Sequence, residues 1–456
     1  MAYVATNPAT GEEVSRFDYH DAQEIERRLD CAFTTWQAWR ATTYEERARL
    51  MVSAAELLEG ELPAVAELLT KEMGKTFASA KGEVAKCALT MRYYAEHAER
   101  YLATEQIASP ARASGVRYEP LGPVLAVMPW NFPLWQVIRF AAPAVMAGNV
   151  GVLKHASNVP GTADFLEKLF DRAGFPTGVF TNLFATVDDV ARVIADERIA
   201  AVTLTGSERA GRAVASTAGQ HLKKCVLELG GSDPFVVGHS ADLERTVPLA
   251  VTARLQNNGQ SCIASKRFIV VASRAEEFTQ RFTEAMDAAA MGDPFDPATV
   301  LGPVVSAAQR DELAGQVDDS VRKGATATTG GSVPSGDGFF YPATVLTDVD
   351  PTTRAGCEEL FGPVAVVIVA DDLTDAIRVA NSTPWGLGAS VWADDEAEQH
   401  QGIESLEAGM VFVNSIVAST PELPFGGIKL SGYGRELGEH GIREFTNAKT
   451  FYVAAT

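Results

Sequence analysis

At 456 residues the chain exceeds what one compact core organises, so two or three domains are expected. Its 39 basic against 59 acidic residues leave a net charge of -20, which argues against nonspecific binding to nucleic acid or an anionic membrane. Five cysteines without paired spacing, no basic or apolar leader and no bilayer-length apolar run argue against a disulfide scaffold and suggest a cytoplasmic enzyme.

Taken in chain order, residues from about 20 to 104 read as helical. Thr43-Tyr44-Glu45-Glu46 has the form of a capping box, and Arg47, Leu50, Met51, Ala54, Leu57 and Leu58 then recur at helical spacing. From about 124 the texture changes to short β-branched runs, Val124 to Met128, Val150 to Lys154, Ala201 to Thr205 and Cys225 to Leu229, separated by helix-length segments. That alternation predicts βαβ units and a parallel sheet. A second series follows Cys262, including Arg267 to Val271, Val364 to Val369 and Met410 to Asn414. The glycine-rich stretch 330–338 reads as a surface turn.

Two motifs are set aside. Met73-Gly74-Lys75-Thr76 resembles the end of a phosphate-binding loop, but Leu69 stands where such a loop needs its first glycine, and the stretch lies in helical sequence. Asn381-Ser382-Thr383 has the form of a glycosylation sequon and reads as a turn. The histidines and cysteines show no metal-ligand spacing, so no metal site is expected.

The chemistry concentrates at Cys262, in Asn257-Asn258-Gly259-Gln260-Ser261-Cys262, and at Glu228, in Leu227-Glu228-Leu229-Gly230-Gly231, 34 residues earlier. One is a potential nucleophile and the other a potential base. A thiol at neutral pH is only partly ionised and needs N–H dipoles or a cation to activate it. Taken alone, a core thiol and a surface carboxylate explain the pair better. Five further stretches accompany it: Pro129-Trp130-Asn131-Phe132-Pro133, Leu153-Lys154-His155-Ala156-Ser157, Leu204-Thr205-Gly206-Ser207-Glu208-Arg209-Ala210-Gly211, Glu358-Glu359-Leu360-Phe361-Gly362-Pro363, and Pro424-Phe425-Gly426-Gly427-Ile428-Lys429. In order and spacing, from Asn7-Pro8-Ala9-Thr10-Gly11 to the last strand, the set resembles the aldehyde dehydrogenase superfamily.

The resemblance implies an α/β fold in three parts. A Rossmann-type cofactor domain would take residues 1–101 and 121–230, and an α/β catalytic domain 231–430. A small β oligomerisation element would take 102–120 and 431–456, in a homodimer or homotetramer. The resemblance further implies that Cys262 attacks an aldehyde, while the Asn131 amide and the Cys262 backbone N–H hold the oxyanion. Hydride leaves for the nicotinamide, and Glu228 activates the water that hydrolyses the thioester. Trp130, Gly206 and Ser207 would lie near the cofactor phosphates, Lys154 at the adenosine ribose, and Glu359 with Phe361 at the nicotinamide ribose. Without the resemblance, Gly206 to Gly211 reads as a plain strand-to-helix turn, although a helix N-terminus suits a pyrophosphate. Lys154 reads equally as a solvated lysine closing a strand.

Ser157 stands where many NAD-preferring relatives carry a glutamate. A neutral serine leaves Lys154 free to pair with a 2′-phosphate, so NADP is expected over NAD; the alternative is that Ser157 caps a helix starting near Pro160. Arg139, eight residues past Asn131, and Ser419 resemble the arginine and serine with which members that oxidise succinate semialdehyde hold its distal carboxylate. Trp135 is expected in the same tunnel, and a structural ion pair is the alternative for Arg139. Two departures stand out: Gln256 replaces a second clamping arginine, and Ala264 replaces a second, redox-active cysteine. The expectation is NADP-dependent oxidation of succinate semialdehyde. Broader aldehyde oxidation and a non-catalytic ligand-binding member are the alternatives.

Overall fold

A computed structural model describes residues 2–455; Met1 and Thr456, the outer limits of the expected domains, lie outside the described residues. The N-terminal helical region forms four helices, Ala22–Trp39, Tyr44–Gly60, Leu62–Met73 and Phe77–Tyr101. Thr43 caps the second by accepting the Glu46 N–H at 3.1 Å, while Glu46 itself is solvent-exposed, so only the Thr43 half of the capping box forms. Met73-Gly74-Lys75-Thr76 is the corner between the third and fourth helices. Gly74 ends one at φ 82°, Thr76 caps the next through the Ser79 N–H, and Lys75 is buried in an ion pair with Glu83. Asn381 is the last residue of the helix Leu373–Asn381, with Ser382 and Thr383 in the bend that follows; it donates to the Ser405 carbonyl and accepts from the Glu407 N–H.

Five parallel strands then assemble in the spatial order Lys224–Glu228, Ala201–Thr205, Pro123–Met128, Val150–His155 and Phe180–Asn182. By position in the chain this is 5-4-1-2-3, which read from the other edge matches five of the six strands of the dinucleotide-binding order 3-2-1-4-5-6. Ala201–Thr205 is buried along its whole length, as a strand with both faces covered must be. The carboxyl ends of these strands carry Trp130, Ser157, Gly206 and Glu228, so sheet topology alone gathers them along one edge.

A seven-stranded sheet runs Thr326–Thr329, Thr344–Thr347, Val364–Ala370, Arg267–Val271, Pro234–Val237, Gly388–Trp392 and Met410–Val413, antiparallel only at its first pair. Its core includes Phe235 stacked on Trp392, with ring centroids 4.7 Å apart, and Phe268 against Phe282. A three-stranded antiparallel sheet joins Thr446–Val453, Ala113–Pro120 and Glu105–Gln106.

The tail from 431 does not go straight to that small sheet. Gly432–Tyr433 first pairs antiparallel with Lys224–Glu228, setting Gly432 opposite Glu228. Gly432 has φ 111°, and a Cβ there would fall 2.0 Å from the Leu227 carbonyl oxygen, so glycine is required for the approach. Among the described residues, no helix is long and apolar enough to cross a membrane, and no group of three or more ligating side chains could hold a metal ion.

Candidate active site

Two cavities meet at Cys262, which is half-buried and lines both. The larger, about 490 Å³, has Trp135, Arg139 and Ser419 in its wall. The smaller, about 280 Å³, holds Trp130, Asn131, Gly206, Ser207, Glu228, Glu359 and Phe361. Lys154 and Ser157 lie outside both, at and just beyond the end of Val150–His155.

The loop that carries Cys262 has an unusual backbone. After the helix Leu243–Leu255, Asn257, Asn258 and Gly259 are all left-handed, with φ of 55°, 57° and 72°. Asparagine tolerates that region better than most residues, at a cost of about 1–2 kcal/mol each. Side-chain bonds offset the cost: Asn257 Nδ2 donates to the carbonyls of Asn131 and Gln260, and Asn258 Nδ2 to those of Gly74 and Pro303. Gly259 is seated so tightly that a Cβ would lie 2.3 Å from the Gly362 carbonyl carbon. Buried Lys266 completes the clamp, its Nζ donating to the carbonyls of Ser261 at 3.0 Å and Cys262 at 2.6 Å while pairing with Glu359 at 3.2 Å.

Burial pushes the Cys262 thiol up to about 12, and the nearby Arg139 and Lys266 charges only partly oppose it. The free protein therefore holds Cys262 as a thiol at neutral pH. Thiolate is the alkylating form, so its reaction with iodoacetamide, followed on the Cys262 peptide by mass spectrometry, should rise about tenfold per pH unit from roughly pH 7 to 9. A plateau below pH 8 would show a thiolate already formed.

Asn131 is buried, and its Nδ2 donates to the Gln260 carbonyl at 3.1 Å, which orients the amide and leaves its second hydrogen available. Glu228 closes its strand fully desolvated, with neither carboxylate oxygen hydrogen-bonded among the described residues. Burial and the neighbouring Glu436 hold it well above the usual carboxylate range, and Arg139 and Arg435 pull it part of the way back. A carboxyl raised in this way suits a general base or acid rather than a structural ion pair.

Arg139 is not the free cation expected of a carboxylate anchor. Its guanidinium is buried in an ion pair with Glu436, donates to Thr205 Oγ1 at 3.2 Å, and lies 4.4 Å from the Phe425 ring centroid. The ion-pair alternative is thus formed, although the side chain still lines the cavity. The capping alternative for Ser157 is not, because the helix Pro160–Arg172 has no side-chain cap and Ser157 is exposed.

At the smaller cavity, Ser207 caps the helix Glu208–Gln220, so the helix N-terminus faces the cavity. Trp130 meets Phe361 edge-on at 5.7 Å, and Glu359 accepts the Gly231 N–H at 3.2 Å. Burial lowers the Lys154 ammonium's pKa. Sequence reasoning misses Lys86, Gln136, Lys266 and Glu436. Lys86 and Gln136 line the larger cavity, Gln136 both. Lys86 falls beside a buried stripe on its helix (Ala80, Val84, Cys87, Met91), a weak signal that was available; Glu436 offers none before the chain is folded.

A model of the aldehyde dehydrogenase family matches residues 2–451. The chain is 52% identical over 461 residues to succinate-semialdehyde dehydrogenase [NADP(+)] 1 of Mycobacterium ulcerans, covering 99% of this chain and 100% of that one. It is 50% identical to succinate-semialdehyde dehydrogenase [NADP(+)] of Mycobacterium leprae, with both chains fully covered. The structure superposes on succinic semialdehyde dehydrogenase of Streptococcus pyogenes in complex with NADP+, with a TM-score of 0.98, 38% identity and full coverage of both chains.

Proposed function

This chain belongs to the aldehyde dehydrogenase family, and from that premise we propose that it oxidises succinate semialdehyde to succinate with NADP. The observation that carries the reading is one thiol shared by two cavities, one with a largely apolar wall that carries Lys86, Arg139 and Ser419 and one at a helix N-terminus suited to a dinucleotide. The fit of the second to NADP is supported by its glycines. A Cβ at Gly206 would meet only Leu204, at 3.7 Å, leaving room for a phosphate, and a Cβ at Gly230 would fall 2.3 Å from the Glu359 carboxylate. Trp130, Gly206 and Ser207 would hold the phosphates, Lys154 and Ser157 the adenosine ribose with its 2′-phosphate, and Glu359 with Phe361 the nicotinamide ribose. When bound, the dinucleotide supplies the hydride acceptor.

The chain's own residues do the rest. Cys262 gives up its thiol proton to water, its Sγ bonds to the aldehyde carbon as thiolate, and the free hydrogen of Asn131 Nδ2 and the Cys262 backbone N–H meet the oxyanion. Loss of hydride leaves a thioester on Cys262, and Glu228 takes a proton from the water that hydrolyses it. Trp135, Arg139 and Ser419 form the wall that receives the far end of the substrate, Arg139 in company with Glu436. We assign the six-stranded sheet to cofactor binding and the seven-stranded sheet to catalysis. The small sheet, whose edge strand Thr446–Val453 offers free backbone groups, joins copies of the chain in the cytoplasm.

The test is kcat/KM with NADP for succinate semialdehyde against butanal. The carboxylated aldehyde should be favoured about tenfold or more. The paired state of Arg139 favours a second reading, broad aldehyde oxidation, and equal values would make it the better one. Cofactor choice is separately testable. Ser157→Glu should lower the NADP-to-NAD efficiency ratio on the order of a hundredfold, because a carboxylate beside a 2′-phosphate repels it by several kcal/mol unless screened. An unchanged ratio would place Ser157 away from the phosphate.

A further inference from the structure

Three charged side chains line the larger cavity: Glu83, Lys86 and Arg139. Two are already neutralised. Glu83 pairs with Lys75 and accepts the N–H groups of Leu134 and Trp135 at 2.9 Å, and Arg139 pairs with Glu436. Lys86 alone of the three, among the described residues, has no carboxylate partner. Its Nζ donates to Ser419 Oγ at 2.6 Å and sits 4.0 Å from the Trp135 ring centroid. A half-buried lysine ordinarily extends its ammonium to bulk water. This one turns into the cavity that contains the nucleophile.

We infer that Lys86, together with Ser419, binds the carboxylate of the substrate. The inference rests on the succinate-semialdehyde reading and names the cation that reading requires. An ammonium has three donors, of which one is spent on Ser419. Ser419 Oγ accepts that bond, so its own hydrogen is free to donate. A carboxylate placed there would receive donors from both side chains, with the Trp135 ring behind the ammonium contributing a cation–π contact. Desolvation and Arg139 bring the Lys86 ammonium down to about 8, while Glu83, Cys87 and Cys262 raise it, so it remains charged near neutral pH. An ammonium desolvated without a counter-ion is the state that an anionic ligand relieves.

The experiment compares wild type, Lys86→Met and Lys86→Arg on succinate semialdehyde and on butanal, with NADP. Lys86→Met should lower the succinate-semialdehyde-to-butanal efficiency ratio about ten- to a hundredfold, mainly through KM for the charged aldehyde, and Lys86→Arg should restore most of it. Butanal turnover in the same preparation reports on folded enzyme, and a fall shared equally by both substrates would leave the ratio unchanged. A ratio retained in Lys86→Met overturns the inference while leaving the proposed function standing. A wild type without preference for the charged aldehyde overturns the proposed function itself.

Discussion

Cys262→Ala is expected to abolish aldehyde-dependent NADPH formation, lowering kcat/KM on the order of 10⁴- to 10⁶-fold, the scale of removing a covalent nucleophile. No other cysteine lines either cavity that meets at Cys262, so none can substitute. The variant should still fold. The loop is held by backbone carbonyls bonded to Arg254 and Lys266 and by the Asn257 and Asn258 side chains, none of which involves Sγ. NADP affinity, measured by calorimetry, should be little changed, because the proposed phosphate contacts lie at Gly206 and Ser207. Retained turnover in the folded variant would remove the covalent mechanism.

Glu228→Gln should separate the two halves of the reaction. The side chain is buried and, among the described residues, neither oxygen is hydrogen-bonded, so an isosteric amide breaks no existing hydrogen bond and should cost little stability. It removes the base, and thioester hydrolysis should slow about 10²- to 10⁴-fold. Hydride loss precedes that step, so mixing enzyme, NADP and aldehyde should give a burst of about one NADPH per subunit, then a stall. Loss of the burst would assign Glu228 to an earlier step.

Local patterns were the most legible part of this chain. The parallel strands announced themselves because buried β-branched runs such as Ala201–Thr205 alternate with helices, and strand order then gathered Trp130, Gly206 and Glu228 without further instruction. The left-handed Asn257-Asn258-Gly259 turn was not read from the sequence, although those residue types tolerate positive φ. Pairings between distant segments are not legible. Arg139 and Glu436 lie almost 300 residues apart in sequence, and nothing local to either predicts that one neutralises the other. Long separations in sequence also hide the approach of Lys86 to Ser419 and the strand Gly432–Tyr433 against Glu228. Residue type identified the charges, but only the packed chain shows which are left unpaired.

The most direct test is mass spectrometry of the Cys262 peptide from Glu228→Gln enzyme mixed with NADP and succinate semialdehyde, then quenched in acid. A succinyl group on Cys262, formed in proportion to NADPH, is the result predicted for a thiol that oxidises this aldehyde through a thioester. NADPH formed with no adduct on that peptide, or with the adduct on another residue, would contradict it.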